Sequence, residues 1–218
     1  MTVETPRVRH PAQWELVVGR VIDVVVAAVA LVVLAVPMLL VAAAIRLTSP
    51  GPALFRQPRV GRNGQVFTLY KFRTMRPGGD DRALRELIAR ELRGEDTRVD
   101  GSCKLADDPR VTRIGAWLRR TSIDELPQLI NVLRGEMALV GPRPCLEWEA
   151  EMFPPKYAER FSVRPGMTGL WQVSGRSTLG TLEMLELDLE YVRRRGLKTD
   201  LAILAATVPM LLRGDGAR

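Results

Sequence analysis

The chain has one histidine, His10, and it stands in the N-terminal tail. That excludes a histidine-based triad or a histidine-rich metal site. Cysteine is nearly as scarce: Cys103 and Cys145 are the only two, in neither a metal-binding nor a redox spacing. Both read as unpaired thiols of a reducing compartment. Acid–base or nucleophilic chemistry must therefore use carboxylates, hydroxyls, lysine or cysteine. Aromatic residues make up only 6% of the chain, and its basic residues interleave with acids and prolines rather than with stacking rings. That argues against a nucleic-acid partner, although the net charge is +7. Neither a Walker A nor a Rossmann glycine spacing occurs, and there is no internal repeat. With 46% hydrophobic and 26% charged residues, the 218-residue chain is not disordered. Its length allows one domain, or one domain plus a membrane element.

Charge is missing altogether from Val24 to Ile45. At about 1.5 Å per residue this run is long enough to cross a hydrocarbon core of about 30 Å. It is too long for the core of a signal peptide, and Arg46 follows it rather than a cleavage site. Trp14 is placed as an interfacial anchor would be. Two features argue against a simple span. Pro37 interrupts the run, removing a backbone bond and kinking a helix. Both flanks are basic, with Arg7, Arg9 and Arg20 before and Arg46, Arg56, Arg59 and Arg62 after, whereas translocation favours one poorly basic side. The residues leave two forms open: a helix that bends at Pro37 and returns to the same face, and a proline-containing span. Asp23, just before the run, is positioned to cap it or to pair with Arg20.

What the chain does have is concentrated between Arg119 and Pro144. Asp124 and Glu125 are adjacent carboxylates among Arg119, Arg120, Arg134 and Arg143, more cations than two capping acids need. Leu126, Leu129, Ile130 and Leu133 recur at helical spacing. Thr121 or Ser122 can cap that helix, and Ser122 with Glu125 fits a capping box. Pro127 favours a start near Asp124, so the cap register stays open. Arg143 lies between Pro142 and Pro144, on a backbone stiffened at both sides, which suits bidentate phosphate binding.

Around this stretch the expected elements are mainly helical. Thr48 to Pro52 is a turn cluster. Residues 53–56 and 65–69 predict a β-hairpin about the Gly61–Gly64 turn. In Tyr70-Lys71-Phe72-Arg73-Thr74-Met75 two cations alternate with aromatics, so an extended chain puts Lys71 and Arg73 on one face. That face is either a solvated basic edge or a phosphate site near the acids. A helix is predicted over 81–92, a charged loop over 93–109, and a short helix over 111–118 with Ile114, Trp117 and Leu118 inward. Residues 147–159 read as helical with a break near Pro154-Pro155. The segment from Val163 to Arg176 reads as a glycine-rich loop whose Arg164 and Arg176 approach a ligand closely. Residues 178–195 form an amphipathic helix with a Leu182, Leu185, Leu189 and Val192 stripe. Residues 200–212 form an apolar helix, short for a span and suited to the core or a lipid surface.

Four words in order resemble the bacterial sugar transferase family, the monotopic polyprenyl-phosphate phosphoglycosyl transferases. They are Tyr70 to Met75, Ser122 to Val132, Gly135 to Pro144, and Arg164-Pro165-Gly166 through Gly175-Arg176. The resemblance runs from about Arg20 to the C-terminus and matches the minimal catalytic form. It implies transfer of a phospho-sugar from a nucleotide diphosphate sugar, usually a UDP-sugar, to a polyprenol phosphate such as undecaprenyl phosphate. UMP is released and Mg²⁺ is required. It implies that Asp124 is the nucleophile and forms a phosphosugar intermediate, that Glu125 holds the metal, and that Arg119 and Arg143 bind phosphate. It also implies a re-entrant membrane helix, broken here at Pro37. The family's preceding serine is Val36 in this chain, and a serine often found after the methionine of the Gly-Glu-Met word is Ala138.

The expected organisation is then a tail over 1–13, a re-entrant membrane helix over 14–47, a compact cytosolic catalytic domain over 48–213 and a tail over 214–218. The fold expected is mainly α with a small β-hairpin and membrane-surface amphipathic helices. Its place is the cytosolic face of the bacterial inner membrane, among its lipids, with the oligomeric state open. A membrane-tethered basic binding or scaffold module without catalysis is the alternative.

Overall fold

A computed structural model describes residues 11–76, 78, 81–98, 108–175 and 178–213. His10, Cys103 and Arg176 lie outside the described residues, as do most of the N-terminal tail, much of the 93–109 loop and the 214–218 tail. The described chain is mainly helical, with two small two-stranded sheets.

The apolar N-terminal run forms two helices, α1 (Gln13–Val33) and α2 (Ala35–Thr48), that meet at Leu34. Among the described residues α1 is the one helix long and apolar enough to cross a membrane. The interruption falls three residues before Pro37 rather than at it. Proline has no N–H to give to the carbonyl four residues back, here that of Val33, and its ring crowds that oxygen. The ladder closes again on either side: Leu34 N donates to Ala30 O and Met38 N to Leu34 O, both at 2.8 Å.

Both ends of this element are fastened to one body. At the α1 end the Arg20 guanidinium donates to Val132 O and Leu133 O at 2.7 and 3.1 Å, and Asp23 Oδ1 accepts from Leu139 N at 2.9 Å. At the α2 end Ile45 is buried with Phe72 and Leu118. Between the two ends Val32, Val33, Val36, Leu39 and Leu40 are all about two-thirds exposed or more.

The hairpin forms as predicted but is longer. Strands β1 (Leu54–Val60) and β2 (Val66–Phe72) pair antiparallel from Leu54 opposite Phe72 to Val60 opposite Val66. Asn63 turns the tip with φ 56°, in the left-handed region that asparagine tolerates. Helix α3 (Arg82–Leu92) follows as expected, then α4 (Arg113–Thr121).

In α4 Leu118 and Ile114 turn inward as expected, but Trp117 is 44% exposed, and Gly115 takes part in the packing. The reason is steric. A Cβ on Gly115 would come within 2.0 Å of Thr74 O, so the glycine lets α4 lie directly on the chain leaving β2, and that rotation turns Trp117 outward.

A 3₁₀ turn (Ile123–Gln128) and α5 (Leu129–Arg134) come next. A second sheet appears that was not expected: β3 (Ala138–Val140) pairs parallel with β4 (Gly166–Thr168), which falls in the segment read as a glycine-rich loop. The short α7 (Leu170–Ser174) also lies inside the presumed glycine-rich loop. Three-residue strands are too short to leave a periodicity. Residues 147–162 break as expected into α6 (Glu147–Met152) and a 3₁₀ turn (Pro155–Ser162), and α8 (Thr181–Arg194) and α9 (Leu197–Arg213) close the fold. The main core joins Ala27 of α1 to Leu69, Leu129, Val132, Met137, Val140, Tyr191 and Ile203, so α1 is built into the domain rather than appended.

Candidate active site

Asp124 and Glu125 sit in the 3₁₀ turn between α4 and α5, not in the first turn of an α-helix. The expected capping box does not form. Ser122 has φ 56° and ends α4 as its left-handed C-cap, and no helix N–H bonds its side chain. Pro127 explains the delay: it disfavours helical geometry at Leu126, so α5 begins only at Leu129. The result is a tight corner that turns Asp124 inward, where it is only 8% exposed, and leaves the Glu125 side chain one-third exposed.

Strand β2 and helix α4 bring the cations. Lys71, near the end of β2, donates from Nζ to Glu125 Oε1 at 2.8 Å. Arg119, in the last turn of α4, donates from Nε to Thr74 Oγ1 at 3.0 Å and acts electrostatically on Asp124. Thr74 is itself held: its carbonyl accepts from Thr112 N at 3.0 Å, and Thr112 caps α4 by accepting from Gly115 N at 2.9 Å. Asp108 and Arg110, paired at 2.5 Å, also lie within electrostatic reach of Arg119. Thr74 was not singled out in the sequence. Its only signal was its place in the Tyr70–Met75 word.

Asp124 makes no ion pair or side-chain hydrogen bond with any described residue. Burial raises its carboxyl from the usual 3.8 to about 6, opposed first by Lys71 and reinforced by the like charge of Glu125, with Arg119 and its own backbone N–H also lowering it. Burial lowers the pKa of Arg119, opposed by Asp124 and Asp108. A partly dry carboxylate, ionised at neutral pH and paired with no cation among the described residues, has the chemistry that a nucleophile or a metal ligand needs.

The structure brings Lys71 and Arg119 to the two acids, and gives Arg73, Arg143 and Arg164 other neighbours. Arg73 donates to Pro50 O and to Ser49 O and Oγ at 2.6–2.8 Å, tying the end of α2 to the hairpin. Arg143 is exposed between buried Pro142 and Pro144, with its guanidinium 5.9 Å from the Trp171 ring and its carbonyl accepting from Arg160. Arg164 donates to Gly135 O at 2.9 Å and lies near Arg20 and Asp23 at the foot of α1.

No group of three or more His, Cys, Asp or Glu side chains able to hold a metal occurs among the described residues. The Asp124–Glu125 pair nevertheless fits Mg²⁺, which takes one or two carboxylates and completes its shell with water and substrate phosphate oxygens. One Glu125 oxygen is engaged by Lys71, and the side chain remains accessible.

The family model described as "Bacterial sugar transferase" matches residues 14–214. The exopolysaccharide production protein ExoY of Sinorhizobium fredii is 41% identical over 199 residues, covering 91% of this chain and 87% of its own. The UDP-glucose:undecaprenyl-phosphate glucose-1-phosphate transferase of Caulobacter vibrioides is 45% identical over 208 residues, covering 91% and 71%. The galactosyl transferase CpsE of Streptococcus agalactiae is 40% identical over 204 residues, 93% of this chain but 44% of that protein, so here the chain spans less than half of its relative.

Proposed function

The chain belongs to the bacterial sugar transferase family, and from that premise we propose that it is a phosphoglycosyl transferase working through a covalent intermediate on Asp124. The donor is a nucleotide diphosphate sugar, of the UDP class, and the acceptor is undecaprenyl phosphate. Names of relatives support both substrates. The observation that carries the mechanism is the buried Asp124 carboxylate, close to Lys71 and Arg119 yet paired with neither.

In the first step a carboxylate oxygen of Asp124 attacks the sugar-bearing phosphorus, the bond to the bridging oxygen breaks, and UMP leaves. In the second step an oxygen of the lipid phosphate attacks the same phosphorus and frees Asp124 as a carboxylate. Charge repulsion is the obstacle in both. Lys71 and Arg119 offset it, Thr74 keeps Arg119 in register, and Glu125 would hold Mg²⁺ with Asp124 and the donor's phosphate oxygens. When bound, the ion neutralises the diphosphate charge. Division into two steps lets a water-soluble donor and a lipid acceptor use one site in turn.

Membrane placement follows the same logic. Both ends of the α1–α2 element are fastened to one body and its apex is exposed and apolar. This favours a re-entrant element, with the site on the cytosolic face of the inner membrane. The test uses purified protein, a panel of UDP-sugars and undecaprenyl phosphate. Wild type releases UMP and stops when EDTA removes divalent ions. Asp124→Asn releases none, and full activity in that variant overturns the covalent mechanism.

A further inference from the structure

A cleft of about 60 Å³ opens between the foot of α1, strand β3 and the corner joining α8 to α9. Its position is defined by Asp23, the last charge before the apolar run, so it lies where polar chain gives way to apolar chain. Its charges balance: Arg20, Arg164 and Arg195 face it with Glu15, Asp23 and Asp200. Several of these are anchored to protein. Arg20 donates to Val132 O and Leu133 O, Arg164 to Gly135 O, and Asp23 accepts from Leu139 N.

Arg195 and Asp200 differ from the rest. Arg195 is half-buried and forms no hydrogen bond or ion pair with a described residue. Asp200 accepts from the Tyr191 hydroxyl at 2.9 Å, and no cation of a described residue closes on it within ion-pair distance. Each nevertheless feels the other's field. A cation and an anion share one cleft without meeting, and leucines such as Leu16 and Leu201, both substantially exposed, line its edge.

We propose that this cleft is a site for the headgroup of a zwitterionic phospholipid whose cation carries N–H donors, with the phosphate on Arg195 and the ammonium on Asp200. Separated opposite charges complement a zwitterion, and the zero sum gives no net attraction to a dianion. The exposed leucines offer the acyl chains an apolar exit. Burial lifts the Asp200 carboxyl to about 6, still ionised at neutral pH. The inference rests on placing the foot of α1 at headgroup depth, as the proposed membrane reading does.

The experiment uses the full chain. Flotation on phosphatidylcholine vesicles tests the membrane placement by itself. Native mass spectrometry of detergent-purified protein then compares retention of phosphatidylethanolamine, phosphatidylcholine and phosphatidylglycerol, with free phosphoethanolamine and inorganic phosphate as competitors. Phosphatidylethanolamine is expected to be retained about tenfold over phosphatidylcholine, the scale of one charge-assisted hydrogen bond that a quaternary ammonium cannot make. Arg195→Gln and Asp200→Asn should each abolish that preference. Because the preference is a ratio within one variant, mild destabilisation cancels. Arg195→Gln breaks no bond among the described residues, so it decides the matter if Asp200→Asn does not fold. Equal retention of the two lipids, an unchanged ratio in Arg195→Gln, or displacement by inorganic phosphate as effective as by phosphoethanolamine overturns the site. Protein that floats yet shows no preference defeats this inference alone. Protein that does not float defeats the membrane reading with it.

Discussion

Two buried aspartates in this molecule have opposite fates. Asp188, on α8, is 1% exposed and accepts from Arg160 Nε and Nη2 at 3.1 and 2.7 Å. Arg160 is equally dry, lies 5.2 Å from both the Phe153 and Phe161 rings, and also donates to Arg143 O and Cys145 Sγ. Both bonds fall on Asp188 Oδ2 and close the two charges on each other. Asp124 is nearly as dry, but its cations are held by others: Lys71 by Glu125, Arg119 by Thr74. Burial alone therefore does not mark a functional carboxylate. What distinguishes Asp124 is burial near positive charge that the fold prevents from closing on it.

Substitution at the two positions should separate the roles. Asp124→Asn is expected to lower UMP release by at least ~10³-fold, as loss of a nucleophile does, while the protein still purifies folded. Arg160→Met is expected to do the reverse. It leaves Asp188 buried and unpaired, a cost of about 3–5 kcal/mol, seen as a lowered thermal midpoint in detergent. The double substitution Arg160→Met/Asp188→Leu should recover most of that loss, because two apolar groups leave no stranded charge. If Arg160→Met instead abolishes turnover at unchanged stability, the contrast is wrong and the pair belongs to the site.

How far this was legible in the sequence differs between the two regions. Asp124, Glu125, Lys71 and Arg119 could be picked out because they fall inside short words dense in charge, and the structure gathers all four. The hairpin and the helices α3, α8 and α9 were legible from periodicity and turn residues. The Arg160–Asp188 pair was not, since it joins two elements whose sequences give no sign of facing each other. The β3–β4 sheet was hidden for the same reason. Arg143 was picked out by its two flanking prolines, but its place over Trp171, with Arg59 and Asp188 as charged neighbours, is set by packing that the sequence does not display. The capping box failed because its spacing matched while Ser122 was needed as a left-handed corner. Spacing reports what an isolated segment can do, and packing decides which option it takes.

The pH dependence of turnover sharpens the comparison next. With its carboxyl at about 6, Asp124 is the ionised nucleophile only above that value. The rate of UMP release should therefore fall toward tenfold per pH unit below about 6. A profile flat down to pH 4.5 would mean that the reacting group is not this carboxyl.

The smallest expected effect is on stability, and its sign runs against intuition. Below the ordinary aspartate value of 3.8, both folded and unfolded chains hold the Asp124 proton, and burial of this group carries no charge penalty. Between 3.8 and about 6 the folded chain keeps a proton that the unfolded chain gives up, so acid favours the fold. Above about 6 both forms are ionised and the whole penalty is present. A shift of about two units, at ~1.4 kcal/mol each, sets a ceiling of about 3 kcal/mol. Asp124→Asn removes the charge, so at pH 8 it should be more stable than wild type by up to that amount. The gain should shrink as pH falls through 6 and vanish near 4. Burial raises the Asp188 carboxyl as well, but Asp188→Asn strands the buried Arg160 guanidinium, so at pH 8 it should be less stable than wild type rather than more. Thermal midpoints of the three proteins across that range would decide it, and a destabilised Asp124→Asn at pH 8 would mean that Lys71 and Arg119 repel each other more strongly than Asp124 resists burial.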